Sequence, residues 1–446
     1  MGKLKKVKKV PGLIAAAILL IGAVVYTALN YSTGKALERE LKALKDSGIP
    51  LTPIEVAPPP VPDEENAALL YRKAFTLMVR EKSEEEKKAY KALVSFSQKP
   101  INWSEENVST IRSFLRKNES ALNLVRQATR RDKCRFPLEY KKGYDLPLPH
   151  LKKMRELARL LALEAGLQSR EGQTDESLKT IQVGLRMGKS LFTEPILISQ
   201  LVRMSIYSTM LKEMEMLLDR NNETRPAIYK ALIKELDDLE GHPAFTRSLE
   251  GERAMGLWAF AMIRKEPSLV RESFGDEGLS YRLYGSYLLR PILKIDEVYY
   301  LRMMERLIAL SRLPYYQAIV KVRNFDKELK SVPRYCFLTG RILPSLGKAF
   351  VVQARSEARI RAGKLALALK IYKAGKGIYP PDLKALTPEI LPRLPKDPFT
   401  GKDYIYKREG EGFIVYSVGD NLKDDKGAFN PKRWEEGDIP WRCTPG

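Results

Sequence analysis

The chain predicts a mainly α protein: an N-terminal transmembrane helix, an irregular α-helical hairpin domain, and a small α+β C-terminal module with an antiparallel β-hairpin. Three observations carry this. One uncharged run near the start spans a bilayer's width, helical periodicity persists from Asp63 to about Gly375, and strand-like alternation is confined to residues after 403. At 446 residues the chain exceeds one ordinary core, which implies two folded units after the anchor. The expected divisions are a basic cytoplasmic tail over 1–9, the anchor over 10–29, and a juxtamembrane helix with a proline-rich spacer over 30–62. An α-helical domain over 63–345 and the module over 346–446 complete the chain.

The tail reads MGKLKKVKK, and its five lysines precede the uncharged segment Val10–Leu29. Twenty residues at ~1.5 Å rise match the ~30 Å hydrocarbon core, and in lipid the backbone of such a run is satisfied only as a helix. Tyr26 and Tyr31 fall where an interfacial aromatic belt belongs. Lysines on the N-terminal flank keep that end cytoplasmic, so the expected location is the cytoplasmic (inner) membrane, single-pass, with the bulk extracytoplasmic. A cleaved signal is disfavoured by Tyr26-Thr27-Ala28 at its nearest cleavage site, and a lipoprotein by the lack of a following cysteine.

Ser32–Asp46 reads as a separate short helix with Ser32 as N-cap, Gly48 as stop, and a stripe of Leu37, Leu41 and Leu44. That stripe can face the bilayer or the body, or pair with a second copy in a homo-oligomer. Prolines at 50, 53, 58, 59, 60 and 62 make Ile49–Asp63 a semi-rigid spacer that holds the body off the membrane.

Asp63-Glu64-Glu65 is expected to cap a helix carrying Leu69, Leu70, Phe75 and Met78, and Ser104-Glu105-Glu106 to open one bearing Ile111 and Leu115. A basic, aromatic loop, Arg130–His150, interrupts the helices. Leu151–Arg170, a turn at Glu171-Gly172-Gln173, and Asp175–Ser190 form one tetratricopeptide-like hairpin with no second copy in register. Further helices are expected over Ile196–Arg220, Ala227–Leu239, Ser248–Arg264, Val298–Leu313, Tyr316–Leu329 and Val351–Ala374.

Several chemistries are disfavoured. The net charge of +22 favours anionic surfaces, but no nucleic-acid reading motif accompanies it, so the expectation is contact with lipid head groups or, equally, a solvated surface with no partner. Gly184–Ser190 resembles a phosphate loop, yet it has three residues between its glycines and lies within a helix. Neither His150 nor His242 has an HExxH partner, and Gly278-Leu279-Ser280-Tyr281 lacks the second glycine of a nucleophile elbow. Cys134, Cys336 and Cys443 have no CxxC spacing, though a single bridge is open to them. The expected role is binding or scaffolding, with two alternatives: an envelope hydrolase using Asp/Glu residues, or a basic surface for anionic lipid or polymer.

The C-terminus carries a run of ordered signals. A helix ends in Tyr372–Pro380, Asp382–Leu386 makes a short turn of helix, and Leu394–Gly401 is Pro/Asp/Gly turn chemistry. Strands over Asp403–Arg408 and Gly412–Ser417 follow, separated by Glu409-Gly410-Glu411. Together, Tyr372–Pro380, Leu394–Tyr406, Tyr416–Asp420 and Asp438–Trp441 resemble the soluble domain of the major pseudopilin of type II secretion systems. The resemblance covers the last fifth of the chain. It implies a calcium site built from Asp420, Asp424 or Asp425, and Asp438, and association with secretion or pilus-like machinery in the envelope. The chain departs from that family at Asn421, at Ala428–Arg433, and at Ala17, where the family has a Glu; processing and polymerisation as a pilin are therefore not expected.

Overall fold

A computed structural model describes residues 9–79, 103–220, 225–240, 243–266, 284, 286–429 and 437–444. The tail before Lys9, His242, the Gly278–Tyr281 run and residues 430–436 lie outside these described residues.

The first helix, α1, runs unbroken over Lys9–Asp46. Its side chains from Leu13 to Leu29 are largely exposed, and it is the one described helix long and apolar enough to cross a membrane. The expected break at Ser32 is absent. Ser32 Oγ and Thr33 Oγ1 donate back to the Leu29 carbonyl at 3.1 and 2.8 Å, so these hydroxyls join the preceding turn instead of capping a new helix. Gly48 does end the helix, with φ +69° and Ile49 N–H reaching the Leu44 carbonyl at 3.0 Å.

The proline-rich stretch differs from a free spacer. Pro53 and Pro58 are buried, Glu55 Oε2 accepts from the Leu51 N–H at 2.7 Å, and Arg253 donates to the Pro50 carbonyl at 3.4 Å. Packing therefore folds it onto the body, and Leu37 and Leu44 of α1 bury against Leu257 and Leu301. The leucine stripe faces the body.

The helical body comprises α2 (Ala67–Leu77), α3 (Glu105–Lys117), α4 (Glu119–Ala128), α5 (Pro149–Arg170), α6 (Thr174–Lys189), α7 (Leu197–Arg220), α8 (Pro226–Asp237), α9 (Ala244–Lys265), α10 (Arg290–Ser311), α11 (Tyr315–Leu329) and α12 (Phe337–Ile342). Asn66, not the acidic run before it, caps α2: its Oδ1 accepts from Ala68 N–H at 3.1 Å and from Arg135 N–H at 2.9 Å. A short side chain at the cap position itself outcompetes carboxylates one turn too early. Ser104 caps α3 as expected.

The α5–α6 hairpin turns at Gly172, φ +76°, with Gln173 N–H bonded to the Gln168 carbonyl at 2.8 Å. A Cβ at Gly184 would lie 2.1 Å from Met210 Sδ, and one at Gly188 2.5 Å from Tyr207. These glycines of the apparent phosphate loop serve helix packing of α6 on α7.

The C-terminal segment opens with α13 (Pro344–Lys376) and carries β1 (Ile405–Glu409), β2 (Gly412–Ser417) and β3 (Ile439–Cys443) in one antiparallel sheet ordered β1-β2-β3. The β1–β2 hairpin pairs Ile405 with Tyr416 and Glu409 with Gly412. The third strand pairs Ser417 with Ile439 and Phe413 with Cys443, and the sequence reading did not include it. No core boundary falls near residue 345. One hydrophobic cluster runs from Ala67 through Leu161, Met214 and Leu369 to Trp441 and Cys443. Glu215 and Asp219 of α7 accept from the Arg442 and Thr444 N–H groups, tying β3 to the helical body.

A Cβ at Gly251 of α9 would stand 1.7 Å from the Pro195 carbonyl oxygen, whereas one at Gly375, exposed near the end of α13, meets nothing within 4 Å. Gly251→Ala is expected to lower the melting temperature through ~1–3 kcal/mol of overpacking, and Gly375→Ala to raise it through ~0.5–1 kcal/mol of helix propensity. Glu213 on α7 is buried, and burial pushes its carboxyl up to about 8. A raised carboxyl pKa favours the folded state below its unfolded value, and that contribution is lost as pH rises through the folded one. Glu213→Gln should therefore melt above wild type at about pH 8.5 and level with it near pH 5; equal melting at both would show the carboxyl stays charged.

Candidate functional site

The calcium ligands implied by the resemblance sit in the loop after β2. Asp438 is fully buried, and its Oδ2 accepts from Gly427 N–H at 2.6 Å and its Oδ1 from Asp425 N–H at 3.3 Å. Asp424 Oδ1 accepts from Tyr416 Oη and Lys426 N–H, both at 2.9 Å, and these bonds hold its carboxyl below the usual range. Asp425 Oδ2 accepts from Asn421 Nδ2 at 2.7 Å. Asp420 turns toward α11, where its Oδ1 accepts from Tyr315 Oη at 3.2 Å and Arg323 Nη2 at 3.3 Å. Among the described residues, no three His, Cys, Asp or Glu side chains stand together as a metal-holding group. In this arrangement the acidic side chains close the loop through these hydrogen bonds. The loop is tight: a Cβ at Gly419, φ +68°, would lie 2.5 Å from the Gly437 carbonyl oxygen.

The cysteines are free and buried, and desolvation pushes the Cys336 and Cys443 thiols up to about 12. That makes them poor nucleophiles. His150 opens α5 as expected. It is buried, its Nε2 lies 3.1 Å from Glu194 Oε2, and its ring stacks on Phe136 at 4.3 Å between centroids. It borders an apolar hollow of about 530 Å³ with Phe75 and Pro147. A stacked, carboxylate-paired imidazole is chiefly a core element here.

A more chemically varied cleft, of about 450 Å³, lies between α7 and α13 where β3 closes the gap. From α7 come Leu201, Ser205, Ser208, Lys212 and Glu215, alternating four- and three-residue steps that place them on one helix face. From α13 come Val352, Arg355, Ser356 and Arg359, and Ile439 forms part of the floor. Among the described lining residues, Lys212, Arg355 and Arg359 share the cleft with one carboxylate, Glu215, whose Oε2 lies 3.4 Å from Arg359 Nη2. Burial, and then the Arg359 charge, lower the Lys212 pKa. Burial raises that of Glu215 despite Arg359 beside it. The cleft thus joins an apolar floor to a cationic wall with three hydroxyls, a surface suited to an organic anion.

Sequence reasoning named none of these residues. The available signal was a line of Ser, Ser and Lys at helical spacing within a strongly apolar helix, but nothing in the sequence pairs α7 with α13.

Asp438→Asn presents an amide N–H₂ where one backbone N–H needs an acceptor, at an expected cost of ~1–3 kcal/mol. Thermal melting of the full chain should register the loss, and wild-type melting with and without millimolar calcium separates the loop-closing role from a cation site. No family model, curated protein or solved structure matches this chain, so its functional reading rests on the cleft, the loop and the anchor themselves.

Proposed function

We propose that this is a membrane-anchored binding protein that holds a small organic anion in the α7–α13 cleft. One observation carries the reading: among the described residues, three cations and three serine hydroxyls line a space in which Glu215 is the one acidic side chain. Raising the charge density of an enclosed, partly apolar site costs folding free energy unless a ligand of opposite charge offsets it. Burial and then the Arg359 charge lower the Lys212 pKa, with Glu215 and Glu213 opposing them.

The anchor reading belongs with it. α1, apolar and exposed from Leu13 to Leu29, crosses the cytoplasmic membrane once, with its lysine-rich end inside. The body stands on the far side, where it meets ligands or envelope partners. The pseudopilin-like order of the C-terminal motifs supports a place beside secretion machinery by analogy of fold. A calcium ion bound there would require the 419–427 loop to release some of its internal hydrogen bonds. For hydrolysis by paired carboxylates, the described residues of the cleft supply one carboxylate, Glu215, where such chemistry uses two.

The test is thermal melting of the full-length chain titrated with phenyl phosphate, octanoate and citrate. At least one anion should raise the midpoint, by about 1–3 kcal/mol near saturation. Ser208→Tyr, which fills the cleft from an exposed position, should keep the unliganded midpoint and abolish the rise. Lys212→Glu should weaken it. No rise with any of the three, or an undiminished rise in Ser208→Tyr, overturns the proposal.

A further inference from the structure

The anchor does not leave the body at a bare hinge. α10 runs alongside α1 in the same direction: Tyr26 Oη donates to the Tyr287 carbonyl at 2.5 Å, Lys294 Nζ donates to Asn30 Oδ1 at 2.8 Å, and Arg302 pairs with Glu40 at 2.7 Å. Residue numbers rise together on both helices, so the N-terminal end of α10 points toward the membrane side. A 3-10 turn, Tyr287–Leu289, immediately precedes it.

The level of that turn can be placed. Tyr26 lies three residues inside Leu29, the end of the uncharged run, or ~4–5 Å deeper along the helix. Its hydroxyl holds the Tyr287 carbonyl, and the two rings lie 5.7 Å apart. Among the described residues, Tyr287 is 63% exposed and Leu288 72% exposed, large side chains largely uncovered at the depth where the anchor enters lipid. Immediately behind them are cations. Arg290 stacks over the Tyr287 ring at 5.0 Å, and Lys294 is the next basic residue of α10. The Lys294 pKa is lowered by burial first, then by Arg264 and Arg290, with only the Glu297 carboxylate opposing them. Arg264 already pairs with Glu297. The positive end of α10 faces the same way.

Resting on the reading of α1 as a membrane anchor, we propose that the Tyr287–Lys294 segment is a second membrane contact: Tyr287 and Leu288 enter the interface, and Arg290 and Lys294 receive the phosphate of an anionic lipid. Tyrosine favours the interface because its ring is apolar and its hydroxyl is not, and two basic side chains beside it add attraction to an anionic surface. With α1 fixed to the body by Leu37 and Leu44, two contact points instead of one set the tilt of the body on the bilayer.

The native thiols are buried, so one added cysteine can be labelled selectively. The full chain is reconstituted in phosphatidylcholine vesicles with and without phosphatidylglycerol, bearing an environment-sensitive fluorophore at Leu288→Cys, Leu19→Cys or Asp46→Cys. Asp46 is exposed and lies ~25 Å beyond Leu29 along α1. The expected result is quenching at 288 by shallow spin-labelled lipid, little quenching there by aqueous iodide, and the opposite at 46. Phosphatidylglycerol should deepen the 288 signal, and Arg290→Glu with Lys294→Glu should cancel that response. Iodide quenching at 288 equal to that at 46, with 19 still reached only by lipid, overturns the second contact while leaving the anchor. Iodide access at 19 as well would remove the anchor reading and this proposal with it. A lipid-quenched 288 that ignores both phosphatidylglycerol and the charge reversals would overturn the phosphate contact.

Discussion

The constraint on which the architecture depends is that α13 is buried on several sides at once. Leu365, Ala366, Leu367, Ala368 and Leu369 are all inaccessible, so no narrow face of this helix is left for water. A helix with apolar residues around its circumference must be wrapped. Here α7, α8 and α11 cover it from the helical body while β2 and β3 cover it from the sheet. Gly363 lets the Trp441 ring approach α13 directly, since a Cβ there would stand 3.0 Å from the indole. The C-terminal sheet cannot be a detachable module on such a helix, because removing it would expose a core shared with residues as distant as Ala67. The charges on α13 follow the same logic: Lys364 is nearly buried and is held by Glu240 at 2.9 Å.

What was legible in the sequence was local. The α5–α6 hairpin announces itself because its glycine turn and its apolar spacing lie within forty residues of each other. The β1–β2 hairpin is legible for the same reason: Gly410, at φ +59°, closes a two-residue loop that fixes the register. The third strand was hidden. Its sequence, Ile-Pro-Trp-Arg-Cys, contains a proline and too few residues for an alternation to register, and its partner strand lies more than twenty residues upstream. The apparent joint at Ser32 misled for a related reason. A hydroxyl that can cap a helix can equally bond back to the turn before it, and only the flanking backbone decides which. The shared core and the α7–α13 cleft were illegible altogether, because periodicity reports which face of a helix is apolar and never which other helix that face meets.

The positive balance of the chain resolves into different local situations once folded. Many cations are spent on surface pairs such as Arg306 with Glu328, which bond at 2.9 Å through both guanidinium nitrogens. Exposed pairs of this kind contribute little to stability, a median of ~0–1 kcal/mol. The cations of the cleft and those at the head of α10 differ in kind. Each group sits partly out of water and beside other cations, with Glu215 and Glu213 opposing them at Lys212 and Glu297 at Lys294. We propose anions of different origin for the two groups, one small and diffusible, the other fixed in the plane of a bilayer.

These two places are mechanically joined. α1 packs along α10, α10 along α9, and α9 along α7, which forms one wall of the cleft. The close approach at Gly256, where a Cβ would lie 2.2 Å from Tyr300 Oη, and at Gly251 against Pro195 leaves little slack in that series. A flexible linker between anchor and body would let the cleft sample every orientation above the membrane. Here the proline-rich segment is folded onto the body and the anchor continues into a packed helix, so that freedom is gone. The geometry thus favours a protein whose binding cleft is presented at a defined height and angle. On the proposed reading, the small anion is then met at a fixed distance from the bilayer.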